Sequence, residues 1–76
     1  MSTLNDLVRT GQRGRVLDVT GDDAVAVRLM EMGLTDGVQV EFIGFAPLGD
    51  PVEFLVRGYR LSLRKAEASR VAIELI

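Results

Sequence analysis

A small, mostly β barrel with one helix set between its first and second strands is written into this chain, and three features specify it. Short stretches of alternating apolar and polar residues recur between Gly, Pro and Asp turns, as in Val38-Gln39-Val40-Glu41-Phe42. A hairpin can be laid out around Arg57-Gly58 so that every facing pair on one side is apolar. One helical stripe, with its own start and stop signals, interrupts the strands between Thr20 and Leu34. With 76 residues the chain makes one domain, 1–76, and has no room for a second core.

The elements follow in order. Thr3 and Asp6 form a T-x-x-D capping pattern. Leu4, Leu7 and Val8 then fall at helical spacing, so a short N-terminal helix is expected, closed by Gly11 and packed as a lid over one end of the core. Gly14–Thr20 reads as a half-buried strand with Leu17 and Val19 on one face. Asp22 or Asp23 caps the next helix, whose stripe is Val25, Leu29 and Met32, with Arg28 and Glu31 facing away. Gly33 is the expected left-handed stop, and Leu34 comes next, where it can touch Leu29.

Asp36-Gly37 makes a turn into the strand from Val38. The alternation fails at Ile43, and Gly44 marks a bulge of the kind that closes barrels. Ala46–Pro51, with two prolines and a glycine, is a loop. The hairpin pairs Val56 with Tyr59, Phe54 with Leu61 and Val52 with Leu63, which leaves Glu53, Leu55, Arg60, Ser62 and Arg64 on the other face. Lys65–Ala68 is expected as one 3₁₀ turn. Arg70–Ile76 closes the barrel with Val71, Ile73 and Leu75 inward. The sum is five strands and an inserted helix, the outline of an SH3-like barrel.

Composition removes several function classes. There is no cysteine and no histidine, hence no disulfide framework, no thiolate metal site and no imidazole ligand or base. Net charge is −2 and the pI about 4.9, a poor match to the phosphate neutralisation that nucleic-acid binding needs. Apolar runs such as Ala24–Val27 are far shorter than the roughly 18 residues of a membrane span. The start, MSTLNDLVRTG, lacks the basic segment and apolar core of a secretion signal, so a soluble cytoplasmic protein is expected.

The candidate functional residues are few. Met30 and Met32 are soft-ligand candidates, but Met32 lies on the apolar stripe and reads as core filler. Asp22, Asp23 and Asp36 suit hard metals, yet capping and turn chemistry account for all three. No cofactor or metal site is therefore expected. Ser62 and Ser69 have no base of the usual type and GQRG at 11–14 is not a phosphate loop, so no enzyme is expected. Recognition of proline-rich peptides would need an aromatic groove, and only Phe42, Phe45, Phe54 and Tyr59 are present.

Two surface features remain. Arg57, Arg60, Arg64 and Lys65 form a basic cluster, either a solvated face offset by Glu53 and Glu67 or a contact for an acidic partner. Leu48 tips the Pro/Gly loop without a core role, and Phe45 and Leu55, with Ile43, are placed on the outer face. Together they read either as loop packing or as a contact patch. Leu48, Arg60, Arg64, Phe45 and Leu55 are the candidate partner-binding residues.

Four segments in combination carry a family resemblance: Gly14-x-Val16, RLMEMGLTDG at 28–37, APLGDP at 46–51 and VRGYRLSLRKAEA at 56–68. They resemble FeoA, the small cytosolic component of bacterial ferrous iron uptake, over nearly the whole chain. The resemblance implies a partner, the FeoB-type membrane transporter with its cytoplasmic GTPase domain, whose activity or assembly the protein would modulate. A related domain ends iron-dependent repressors of the diphtheria-toxin-repressor type, which gives the alternative of a regulatory or oligomerising interaction module, acting either by self-association as a homo-oligomer or by binding another protein. Iron has no visible ligand set here. Ferrous iron titrated anaerobically by calorimetry should accordingly give weak, non-stoichiometric heat, and a one-to-one site of micromolar affinity would refute that expectation.

Overall fold

A computed structural model describes residues 2–76. Six antiparallel strands form one sheet in the order β1-β6-β2-β3-β4-β5. They are β1 Ser2–Thr3, β2 Arg13–Val19, β3 Gln39–Phe45, β4 Val52–Val56, β5 Tyr59–Leu63 and β6 Val71–Leu75. Helix α1, Ala24–Glu31, lies between β2 and β3, and α2, Lys65–Ala68, between β5 and β6. Five strands are those expected. The sixth, β1, adds two residues that pair with Ala72 and Ile73.

Alternation builds the core. Val40, Phe42, Val52, Phe54, Val56, Leu61 and Leu63 point inward from β3 to β5 and are buried. Val16, Val19, Val71 and Ile73 complete the wall from β2 and β6. Leu4 and Leu7 close one end, and Ala26, Leu29 and Leu34 pack in from around α1. Phe54 meets Phe42 edge to face at 6.2 Å, a favoured aromatic geometry. No polar or charged side chain is buried among the described residues, so the core costs nothing in unpaired polar groups.

The hairpin is in the expected register, with Val56 opposite Tyr59, Phe54 opposite Leu61 and Val52 opposite Leu63. Its two loop residues, Arg57 and Gly58, have φ of 49° and 85°, the two positive values of a type I′ turn. In β3 the pairing shifts between Phe42 and Gly44, the expected bulge.

A second bulge has no signature in the sequence. In β2 Val16 faces Ile73, but the next pair is Asp18 with Ala72, so Leu17 is the extra residue. Leu17 is therefore exposed, and the inward residues are Val16 and Val19, not Leu17 and Val19. Gly14, on the same inward side, is buried. A Cβ there would lie 2.5 Å from Cδ1 of Ile73, so the isoleucine fills the space a larger residue would need.

Three further expectations change. The N-terminal helix is a single 3₁₀ turn, Leu4–Asp6, with the Thr3/Asp6 capping box present; Val8 is exposed and Gly11 lies in a later turn. Such a short segment forms only because the box satisfies its first donors and Leu4 is buried. Lys65–Ala68 is α-helical, not 3₁₀. Leu75 keeps the inward parity of Ile73 but stands beyond the core and is half exposed.

Helix α1 is fastened at both ends. Asp23 caps it, its Oδ1 accepting the Ala26 N–H at 3.2 Å. The same carboxylate takes both guanidinium nitrogens of Arg70, at 3.0 and 2.6 Å. The Arg70 carbonyl in turn accepts the Thr20 N–H at 2.7 Å, so the β2–α1 link is tied to the start of β6. At the other end Gly33, φ +102°, makes a Schellman stop. Its N–H donates to Met30 at 3.0 Å and the Leu34 N–H donates to Leu29 at 3.3 Å, as the Gly33–Leu34 pair implied. The Tyr59 hydroxyl donates to the Met32 carbonyl, and Arg28 pairs with Glu67 on α2.

These fasteners can be tested singly. Gly33→Val places a branched side chain in left-handed backbone, 3.1 Å from the Tyr59 hydroxyl, and should cost roughly 1–3 kcal/mol. An unchanged melting temperature would show that the helix does not end there. The Arg70 guanidinium, and next the Ala26 N–H, hold the Asp23 carboxyl below its ordinary value of 3.8. A carboxyl lowered in the folded state contributes stability above its unfolded value, lost as pH falls through the folded one. Asp23→Asn keeps the cap acceptor but not the charge. Its deficit in melting temperature relative to wild type should be full well above pH 3.8 and shrink as pH falls below it. A pH-independent deficit would sink this account.

Candidate functional site

The five candidate residues fall in two places. Leu48 is 97% exposed at the tip of the 46–51 loop. The loop is held from behind: the Lys65 N–H donates to the Asp50 carboxylate at 2.9 Å, and the Gly49 N–H to the Ala46 carbonyl at 2.7 Å. Among the described residues nothing folds over Leu48, so loop packing does not account for it.

Phe45 is half exposed, but not on the outer face. The bulge at Ile43 returns it to the inward parity, opposite Val52. Its ring stands at the open end of the barrel, 5.0 Å from the Phe42 ring, with Lys65 Nζ 5.5 Å from its centroid. There it lines a groove of about 310 Å³ with Leu4, Leu7, Val8, Val52 and Lys65. The sequence places Val8 on the apolar face of the N-terminal segment and Lys65 in the basic cluster, but does not bring either of them to Phe45. Their signal lay in the spacing of Val8 behind Leu4 and in the side-chain stem of Lys65.

Leu55 is on the outer face as expected, partly buried, directly across from Arg60 on β5 and Glu41 on β3. Arg60 is 69% exposed and its Nη1 stands 3.9 Å from Glu53 Oε1, a loose surface pair. Arg64 is exposed at the start of α2, where its N–H donates to the Glu67 carboxylate at 3.0 Å. Glu67 pairs with Arg28 and not with the hairpin arginines, so the offset expected from Glu67 is not there. Arg60 and Arg64 share the outward parity of β5, whereas Phe45 and the Leu48 loop belong to the barrel end.

Chemically the two places differ: one is apolar with a lysine at its rim, the other arginine-rich around a single leucine. Among the described residues no three His, Cys, Asp or Glu side chains converge in a way that could hold a metal ion. No helix of the described residues is long and apolar enough to cross a membrane.

Comparison with known proteins gives this geometry a context. Residues 3–75 match the model of the FeoA domain. A curated relative, the Fe(2+) transport protein A/Fe(2+) transporter FeoB fusion protein of Porphyromonas gingivalis, is 33% identical over 69 residues. The match takes in 91% of this chain but only 8% of that protein's length. The solution structure of the FeoA protein from Chlorobium tepidum superposes with a TM-score of 0.86 at 35% identity, covering 99% of this chain and 70% of that one. Stenotrophomonas maltophilia FeoA, a procaryotic SH3 domain protein crystallised with zinc, gives 0.81 at 31% identity, over 97% and 91% of the two chains. The manganese-activated repressor ScaR, at 22% identity and a TM-score of 0.80 over 97% of this chain and 35% of its own, shares the fold. The barrel is thus SH3-like, and the chain belongs to the FeoA domain family.

Proposed function

We propose that this chain is a cytoplasmic accessory protein of bacterial ferrous iron uptake, which docks on an FeoB-type membrane GTPase transporter and modulates its activity or assembly. One observation carries the reading: in Porphyromonas gingivalis a homologous segment shares a chain with the transporter. Joining two modules raises their local concentration to the order of millimolar, which rewards modules that act together. The protein works by contact and not by catalysis, in keeping with a sequence that has neither His nor Cys. The contact residues are Leu48, Arg60 and Arg64, with Phe45 and Leu55 beside them. Leu48 supports this choice best, because a leucine 97% exposed on a held loop does nothing for the fold.

Leu48→Asp, and separately Arg60→Glu with Arg64→Glu, should leave the fold intact and weaken binding to the transporter's cytoplasmic domain by roughly tenfold. The charge pair should act on the association rate and respond to salt, and Leu48 on the dissociation rate. Biolayer interferometry measures both, with circular dichroism as the folding control. Wild-type affinity in both folded variants would place the contact elsewhere.

A further inference from the structure

The outer face of the sheet holds a groove of about 170 Å³ whose lining includes Arg13, Glu41, Leu55 and Arg57, with Gly58 at its end. It is separate from the groove beside Phe45. Leu55 supplies its apolar side chain, and buried Val40 also borders it. Two other arginines of this face have carboxylate partners: Arg15 takes Glu74 at 2.8 Å and Arg60 takes Glu53 at 3.9 Å. Arg13 and Arg57 form no such pair within 4.0 Å among the described residues, although Arg13 stands opposite Glu41 in the ladder. The chain as a whole is acidic, at −2, so this locally cationic groove runs against its average.

Arg57 carries a second peculiarity. It is the one non-glycine residue with positive φ among those described, at 49°. That is the first loop position of a type I′ turn, where Asn, Asp or Gly is favoured. A long cationic side chain does not serve the turn, and backbone strain without a folding reason points to use of the side chain.

We propose that this groove seats an acidic segment of a partner protein, with carboxylates on Arg13 and Arg57 and one apolar side chain against Leu55. The inference rests on the docking reading and specifies its charged part, placing it on Arg13 and Arg57 beside the Arg60 already named. An arginine fork binds a carboxylate in two parallel hydrogen bonds, and the leucine between two such forks fixes the register of the segment.

The test uses the whole chain and two probes: a blocked synthetic peptide of glutamates around a single leucine, and the transporter's purified cytoplasmic domain. Amide shifts on peptide titration should centre on Arg13, Glu41, Leu55 and Arg57 and fade in about 0.5 M salt. Arg57→Asn suits the turn, so its melting temperature should rise by a few degrees while affinity for both probes falls about tenfold. Arg13→Gln should lose affinity likewise without the gain in stability. Shifts centred on Val8, Phe45 and Lys65, undiminished affinity in both variants, or tighter binding of a short oligonucleotide than of the peptide would each overturn the proposal. If the peptide seats in the groove while the transporter domain does not bind wild type, the groove stands and the docking reading falls. If that domain binds wild type and both variants alike, the docking reading stands and the groove falls.

Discussion

Side-chain parity is the constraint on which this molecule depends. In a sheet with one buried face, each strand must send every second residue into a single core, and a slip of one residue would exchange core and surface. Here the wall of valines, leucines and phenylalanines contains no polar side chain among the described residues. The barrel cannot keep one parity throughout, since it must also curve. Two bulges resolve the conflict, at Leu17 in β2 and Ile43 in β3. Each lets its strand bend and reverses the parity of the residues beyond it. The exposed leucine at 17 and the open-end phenylalanine at 45 are both products of these bulges.

Around this wall α1 acts as a clamp as well as a core element. Its apolar stripe is short, with only Ala26 and Leu29 fully buried, so packing alone would hold it weakly. Polar ties at both ends make up the difference. Asp23 joins the cap to Arg70 and hence to the start of β6, and the Tyr59 hydroxyl joins the Met32 carbonyl at the helix end to β5. The two strands so linked lie far apart in the sheet order, β6 next to one edge and β5 at the other. The helix therefore spans the gap that the hydrogen-bond ladder leaves open. From the other side, Asn5 donates to the Lys65 carbonyl at 2.9 Å, tying the N-terminal turn to α2.

The features legible in the sequence are those that depend on neighbours in sequence. The Schellman stop at Gly33, the Asp36-Gly37 turn and the hairpin register of 52–63 rest on local patterns, and each appears in the structure. The bulge in β3 was legible because Gly44 broke a clear alternation. The bulge in β2 was not, because Val16-Leu17 offers two apolar neighbours and only the pairing with β6 decides which turns in. Strand β1 was hidden for a similar reason: Ser2-Thr3 has no strand pattern of its own and is a strand only beside Ala72 and Ile73. Of the candidate contacts, Leu48 and Leu55 could be placed from spacing and loop chemistry. Phe45 could not, since its face depends on how many residues the bulge absorbs.

The two ends of the sheet bear on how such a protein can associate. One edge is a strand of two residues; the other, β5, is five residues long and carries Arg60 and Ser62 on its outer side. Short and charged edges resist the addition of a further strand. The backbone thus offers little to a neighbour, whether another copy in a crowded cell or a misfolded chain. What such an architecture leaves open to contact is its side chains, and a surface side chain can be exchanged without reopening the sheet.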